Sequence, residues 1–231
     1  MKTKVWSLSI RLFHWFLAIG FTSAYILGDD ENSRNLHYAF GLFVGTLIIF
    51  RILYGIIGPK YANFKDFPLG FRSIVNFIKG YFSKENFMIG HNPIASIVMI
   101  LIFVVGLLCS FSGYMLYSKE GAALFTTGMN EEFLEEIHEI FANLFLILVG
   151  LHIVGLISDM IFHGKIKTIF SIFTGYKNIE GENSTVNTFQ RVYAFIWLII
   201  PFLMFYYGLN LPSENKNGNG TEQQELKEDN D

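Results

Sequence analysis

"EEIHEIFANLFLILVGLHIVGLISD", residues 135–159, is a long apolar run that nevertheless contains two histidines, His138 and His152. A helix that crosses a bilayer needs about 20 mostly apolar residues, because each residue adds about 1.5 Å against a hydrocarbon core of about 30 Å. The run therefore predicts a transmembrane helix. Its two imidazoles require an explanation, because titratable side chains inside a membrane are costly and usually functional.

Four other segments of this chain of 231 residues are similarly apolar, and 52% of all residues are hydrophobic. Backbone groups in lipid must pair within a helix or a closed barrel, and the alternation typical of barrel strands is not seen. We therefore expect an all-α integral membrane protein, with a four-helix transmembrane bundle within residues 1–176 and an additional fifth transmembrane helix. The predicted helices cover residues 12–27, 37–57, 94–117, 137–162 and 189–211.

Lys and Arg are unevenly distributed between the predicted connections. The N-terminus and the connections 58–93 and 163–191 carry most of them, whereas residues 28–36, 118–136 and the C-terminal tail are rich in Asp and Glu. Because Lys and Arg in short loops remain cytoplasmic, the pattern predicts the orientation of a multi-pass membrane protein. Its N-terminus is expected inside and its C-terminus outside. We call the side that carries the N-terminus the inner side, and the opposite side the outer side.

The remaining segments carry weaker signals. The apolar start of the chain lacks a clear small-x-small cleavage site, so we interpret it as an uncleaved first helix. Residues 69–82 predict a short amphipathic helix at the inner interface, and the charged, low-complexity tail 212–231 is expected to be disordered. The one cysteine, Cys109, excludes an intrachain disulfide and a c-type haem attachment motif, and we interpret it as a packing residue.

Four histidines form two sets at matching depths of the predicted bundle. His138 and His152 are fourteen residues apart, which leaves them about 40° apart around an ideal helix and about 21 Å apart along its axis. His37 begins the second predicted helix on the outer side, and His14 lies near the inner start of the first. We therefore expect an outer pair, His37 with His138, and an inner pair, His14 with His152.

Two facing neutral imidazoles are suitable ligands for both axial positions of a b-type haem. Two such pairs predict two haems roughly 20 Å apart, which would form an electron path across the membrane. Arg11 and Arg51 lie near the inner layer, where they would pair with haem carboxylates or extend to the membrane interface. Small residues near the histidines would admit a flat macrocycle or allow ordinary helix packing; they are Gly41, Gly45, Gly150 and Gly155.

Several motifs, taken together, resemble one known family. They are "RLFHWFLA" (11–18), "LHYAFGLFVGTLIIFRILYGIIGPKYANF" (36–64), "GHNPIAS" (90–96) and "HEIFANLFLILVGLHIVG" (138–155). Over about residues 5–176 the chain is similar to the bacterial cytochrome b561 / nickel–iron hydrogenase b-type cytochrome family of di-haem membrane cytochromes b. In that family four helices hold two haems b, with ligands from the first helix, the second helix and twice from the fourth. The resemblance implies His14, His37, His138 and His152 as the ligands here.

The resemblance also implies a function. Members of the family are membrane subunits of respiratory enzymes that exchange electrons between quinone and a partner at the outer face. It implies two haem b cofactors, quinone as a substrate or bound carrier, and a periplasmic partner such as a hydrogenase iron–sulfur subunit or a c-type cytochrome. The chain would then be the electron-transfer subunit of a quinone-linked oxidoreductase in contact with membrane lipid, and no nucleic acid is expected. The fifth helix and the acidic tail depart from the simplest family pattern.

A quinone site needs a titratable or hydrogen-bonding group close to a haem. His91 and Asn92, in the "GHNP" sequence at the inner start of the third predicted helix, have a suitable depth beside the inner pair. The alternative is that these residues cap the helix, because Asn is a good N-cap and Pro93 is a good first helical residue.

Two other functions are compatible with the sequence. A haem-free transporter could use the bundle histidines as a proton relay, although acidic residues within the spans are scarce, with Glu139 and Asp159 near the ends of one helix. A purely structural anchor could dock a basic partner through the acidic outer segment "NEEFLEEIHE", residues 130–139. That segment would equally suit the solvated start of a helix, where Glu is favoured by the helix dipole.

Overall fold

The structure of the protein is a computed structural model, which describes residues 1–82, 88–117 and 131–211, apart from the side chains of Glu31 and Glu131. Within these residues the chain forms seven α-helices and one two-stranded sheet, and the expected all-α membrane fold is confirmed. The helices are α1 Leu8–Ile26, α2 Arg34–Ile57, α3 Phe71–Gly80, α4 Pro93–Tyr117, α5 Glu131–His163, α6 Thr168–Thr174 and α7 Thr188–Leu209. The strands are β1 Thr3–Lys4 and β2 Tyr176–Lys177, and 3₁₀ turns occur at Glu31–Ser33, Phe64–Asp66 and Gly164–Ile166.

The five predicted spans correspond to α1, α2, α4, α5 and α7, and the short amphipathic helix corresponds to α3. The largest difference in length is in α5, which begins at Glu131 and not at residue 137. Acidic residues such as those of this first turn are favoured near the positive end of the helix dipole, so the helix extends beyond its apolar part. The predicted disordered tail, the outer connection 118–130 and thus the first residue of the acidic outer segment lie outside the described residues.

Four helices in the described part of the chain are long and apolar enough to cross a membrane, namely α2, α4, α5 and α7. Helix α1 has 19 residues but is not one of these four, because Arg11 and His14 lower its mean hydropathy. It nevertheless packs along α2 within the bundle. The two polar residues that weaken its apolar character both belong to the candidate site.

Helix α2 lies at the centre of the bundle. It packs against α1, α4 and α7, while α4 makes extensive contact with α5. Its residues Leu47, Ile48 and Phe50 are completely buried. Helix α7 approaches α2 closely at Gly208, where an added Cβ would lie 2.7 Å from the Cα of Ala39. The additional helix is therefore packed directly on the bundle.

The short sheet lies at the inner end of the bundle. Strand β1 pairs antiparallel with β2, and Thr3 lies opposite Lys177. Gly175, immediately before β2, has a φ of 86°, and its carbonyl accepts hydrogen bonds from the amides of Val5 and Trp6. A residue without a Cβ adopts this positive φ at little cost. The sheet thus fastens the first residues of the chain to the segment that follows α6.

Candidate functional site

The structure brings His37 of α2 and His138 of α5 together at the outer end of the bundle. Their ring centroids are 6.0 Å apart, and the ring planes are almost perpendicular. His37 Nδ1 lies 2.8 Å from the carbonyl oxygen of Ala24, and His138 Nδ1 lies 3.0 Å from that of Cys109. Because a carbonyl oxygen only accepts, each Nδ1 must carry the proton. Each Nε2 then keeps its lone pair, which is the state in which imidazole binds a metal.

Helix α4 holds the His138 ring in place. Besides the Cys109 carbonyl, the hydroxyl oxygen of Ser112 lies 3.1 Å from His138 Nδ1. Gly113 packs so closely that an added Cβ would lie 2.9 Å from the Cε1 atom of His138. Cys109 therefore contacts the ring through its carbonyl, with its Sγ farther away at 3.9 Å from the same nitrogen. A small residue at position 113 gives the imidazole room.

At the inner end, His14 of α1 and His152 of α5 approach each other in the same way. Their ring centroids are 6.4 Å apart. The Nδ1 atom of His14 is buried and has no hydrogen-bond partner in the described residues. Buried polar atoms normally have such partners, so this nitrogen is available to a group that the described residues do not include.

Both histidine pairs have the spacing that haem ligation requires. A metal-bound imidazole nitrogen lies about 2 Å from the metal and the ring centre roughly 1 Å further away, so two rings on one metal have centroids roughly 6 Å apart. The two observed spacings, 6.0 and 6.4 Å, agree with this geometry. Neutral imidazoles also bring no net charge into the apolar bundle. The residues present therefore fit one axially ligated haem at each end.

Aromatic side chains separate the two pairs. Phe145 lies on α5 seven residues from both His138 and His152, which places it halfway between them on nearly the same helix face. Its side chain is buried, and its ring centroid is 4.5 Å from that of Phe21 on α1. The pairs are therefore two distinct sites with apolar packing between them, which suits two haems better than a continuous proton relay.

The glycines near the histidines fall into two groups. Gly41, four residues after His37 and on nearly the same face of α2, has no atom within 4 Å of an added Cβ, so a flat group could approach there. Gly45 instead packs against Ser110, whose Cβ would be 2.8 Å from an added Cβ. Gly150 and Gly155 are exposed, and Gly150, two residues before His152, faces the opposite side of α5.

Arg11 and Arg51 both lie in the inner half of the bundle. Arg51 is 1% exposed, so it does not extend to the membrane interface, and its Nη1 atom has no partner in the described residues. Arg11 donates to the carbonyl of Phe173, while its Nε is buried without a partner. Each guanidinium thus retains a donor that is free for an anionic group.

His91 lies beside the inner pair and lines a cavity of about 400 Å³, together with Lys60, Tyr61 and Asp66. Its ring centroid is 4.7 Å from that of Trp6, and its Nδ1 is buried without a partner in the described residues. Burial lowers the pKa of His91 well below its ordinary value, so the imidazole is neutral. It can therefore exchange a hydrogen bond with a neutral ligand in the cavity.

Asn92 has a structural role. Its side-chain oxygen accepts a hydrogen bond from the Ala95 amide at 2.8 Å, and Pro93 is the first residue of α4. The capping alternative therefore describes Asn92 well, and of these two residues it is His91 that lines the cavity.

Lys177 was not among the residues that the sequence indicated. It is 3% exposed, and its ammonium donates to the Gly90 carbonyl at 2.9 Å, next to His91. Nothing in its local sequence predicts burial, because the burial depends on the pairing of β2 with β1, more than 170 residues apart in the chain. A lysine in a polar connection is ordinarily solvated.

The long apolar helices define a multi-pass α-helical membrane protein, and the facing imidazoles at both ends are typical of a haem carrier. The family model of prokaryotic cytochrome b561 matches residues 5–175. The chain belongs to this family, as the sequence motifs predicted, and it is therefore a haem b-binding membrane cytochrome of electron transfer. Comparison with curated proteins and with solved structures found no match. Family membership favours electron transfer over a haem-free transporter.

Proposed function

We propose that the chain carries two haems b and transfers electrons between the quinone pool and a redox partner at the outer, periplasmic face. The single observation that supports this most strongly is the presence of two imidazole pairs at opposite ends of one bundle, with centroids 6.0 and 6.4 Å apart. A single pair would hold one haem. Two pairs would hold two haems, so that an electron would cross the membrane in two shorter transfers. We assign His37 and His138 to the outer haem, and His14 and His152 to the inner haem.

The protein groups around each pair would orient the ligands and balance charge. The carbonyls of Ala24 and Cys109 hold Nδ1–H of the outer histidines, which leaves Nε2 free for a metal and would make the ring a stronger donor. Arg11 and Arg51 would hold haem carboxylates on the inner side. Haem b supplies a reversible one-electron iron couple when bound, and two histidines from the protein would hold it for electron transfer.

The quinone site is proposed at the cavity that His91 lines. Quinone chemistry couples electrons to protons, so the site requires a group that exchanges hydrogen bonds with the quinone oxygen. His91 suits this role because it lines the cavity and its Nδ1 lacks a partner in the described residues. Asn92, the second residue expected there, would act only by capping α4.

The orientation of the protein in the membrane is assigned from the distribution of charged residues in the sequence. The inner side, rich in Lys and Arg, is assigned to the cytoplasm of a bacterial cytoplasmic membrane. An outer partner such as a hydrogenase iron–sulfur subunit or a c-type cytochrome would then reach the outer haem from the periplasm. The acidic start of α5 would favour a partner with a basic surface.

The experiment that tests this function is a pyridine haemochrome assay on the purified membrane protein, together with a reduced-minus-oxidised spectrum. We expect two haems b per chain and reversible reduction by a quinol analogue. One haem per chain would show that one of the two pairs is not a haem site. If the purified protein contains no haem, the proposal is wrong and the histidines serve in packing or proton transfer.

The His91→Ala variant tests the quinone site. We expect both haems to remain, while KM for a quinol analogue rises about tenfold, because one hydrogen bond worth about 1.4 kcal/mol is lost. His163→Ala is the matched control, since it removes an inner-end imidazole that does not line the cavity. Unchanged quinol kinetics in His91→Ala would place the quinone elsewhere.

A further inference from the structure

Two cationic side chains are buried at the inner end of the bundle. Arg51 is 1% exposed and Lys177 is 3% exposed. Within residues 1–82, 88–117 and 131–211, neither forms an ion pair. A buried charge is strongly unfavourable unless it is paired and hydrogen-bonded. This arrangement therefore indicates an anion that the described residues do not supply.

The surroundings of Lys177 are only partly polar. Its ammonium donates one hydrogen bond, to the Gly90 carbonyl, and lies 5.6 Å from the centroid of the Trp6 ring. Burial lowers the pKa of Lys177 to about 8, and the charge of Asp159 only partly opposes this. The Asp159 carboxylate is itself 3.3 Å from Nδ1 of His163. The ammonium thus has capacity for a second, anionic acceptor.

Arg51 is in a similar situation. Its guanidinium carbon lies 5.2 Å from the centroid of the Phe64 ring and 5.6 Å from that of Phe103. Aromatic faces attract a cation, but they do not replace hydrogen-bond acceptors for its N–H groups. One of these groups, on Nη1, is buried without a partner in the described part of the chain.

The two cations converge near the inner histidine pair. The Phe64 ring beneath Arg51 packs on Phe67, which in turn contacts His91. Gly175, two residues before Lys177, lies beside Arg11, one helical turn from His14. The Trp6 ring connects them further, since it contacts both His91 and Lys177. An anion between Arg51 and Lys177 would consequently lie next to the inner haem site.

The short sheet holds Lys177 at the position where it could bind such an anion. Lys177 lies opposite Thr3 in the sheet, and the amides of Val5 and Trp6 bond to the carbonyl of Gly175, two residues before it. The burial of the Lys177 ammonium therefore depends on this pairing of strands. The N-terminal residues therefore hold the lysine over the inner end of the bundle.

We propose that Arg51 and Lys177 form a carboxylate-binding site for the propionates of the haem at the inner pair, closed by the β1–β2 sheet. The inference rests on the proposed di-haem function. A guanidinium and an ammonium are the side chains that bind carboxylates most strongly in proteins. An anionic quinol offers related chemistry, so the experiment must distinguish the two ligands.

The test uses the purified holoprotein and its Lys177→Met variant, in the wild-type background and in a His37→Ala background that isolates the inner haem. Removal of a nearby cation disfavours the reduced haem, so we expect the inner haem to become harder to reduce by about tenfold, or 59 mV for a one-electron couple. The outer haem should be unaffected and both haems retained. Lys177→Arg should restore the potential. Lys165→Met, which removes an exposed lysine of the same connection, should change neither haem.

Three results would overturn the proposal. An unchanged inner potential with altered quinol kinetics would identify the anion as quinol. Equal shifts of both haems, or the same shift in Lys165→Met, would identify a general field effect. If Lys177→Met does not accumulate, Lys177→Arg is examined by redox-induced infrared difference spectra with ¹³C-labelled haem propionates. A shifted carboxylate band is then expected, and an unshifted band overturns the proposal. A wild-type protein without haem would instead refute the proposed function itself.

Discussion

His37→Ala and His138→Ala are each expected to lose the same haem and to keep the other, so that the haem content falls from two to about one per chain. His14→Ala and His152→Ala are expected to lose the second haem only. The reason is that the rings approach each other in pairs, with centroids 6.0 and 6.4 Å apart, while Phe21 and Phe145 pack between the pairs. Haem content by pyridine haemochrome and the α-band of the reduced spectrum measure the result.

The control for these variants is His163→Ala. His163 lies at the inner end of α5, within the last turn of the same helix as two of the candidate ligands, and it should retain both haems. Loss of both haems in all four ligand variants would mean that the histidines support folding in general. Full haem content in any one variant would remove that residue from the ligand set.

Gly113→Val is expected to cause the second largest effect, by displacing a ligand from the neighbouring helix. An added Cβ at Gly113 would lie 2.9 Å from Cε1 of His138, and the ring cannot withdraw without losing its bond to the Cys109 carbonyl. Overpacking of this kind typically costs about 1–3 kcal/mol. We expect most of the outer haem to be lost, with the inner haem retained. Redox difference spectra of the purified variant measure the two haems separately.

Gly150→Val provides the matched control for this substitution. It introduces the same side chain into a membrane helix, but an added Cβ at Gly150 has no atom within 4 Å, and the residue is exposed. Both haems should remain. If Gly113→Val also retains both haems, the close approach of α4 does not position His138, and the outer site tolerates a shift of that ring.

A large part of the molecule follows directly from the sequence. Each membrane helix can be predicted from its own apolar run, because the bilayer imposes a length and a composition on a single segment. The helical repeat also places His138 and His152 on nearly one face of α5, since the angle depends only on their spacing. The family was predicted from local motifs, and the match over residues 5–175 confirms it.

Other features depend on contacts between distant segments and could not be predicted in this way. The protonated nitrogen of His138 is determined by a carbonyl of α4, and the role of Asn92 as a cap is determined by the geometry of the first turn of that helix. Gly45 was grouped with possible haem contacts, but its neighbour is Ser110. These differences arise because a sequence states which residues are small or polar and does not state what they face.

Taken by itself, the sequence determined the class of fold, the helices, the family and the depth of each histidine, because these properties depend on single segments and on the regular rise of a helix. Tertiary structure alone decided how the paired rings are held and which buried cations lack a partner in the described residues. The clearest example is Lys177, which is buried only because β1 pairs with β2. That pairing joins the two ends of the family domain, and no local pattern of residues encodes such a long-range contact.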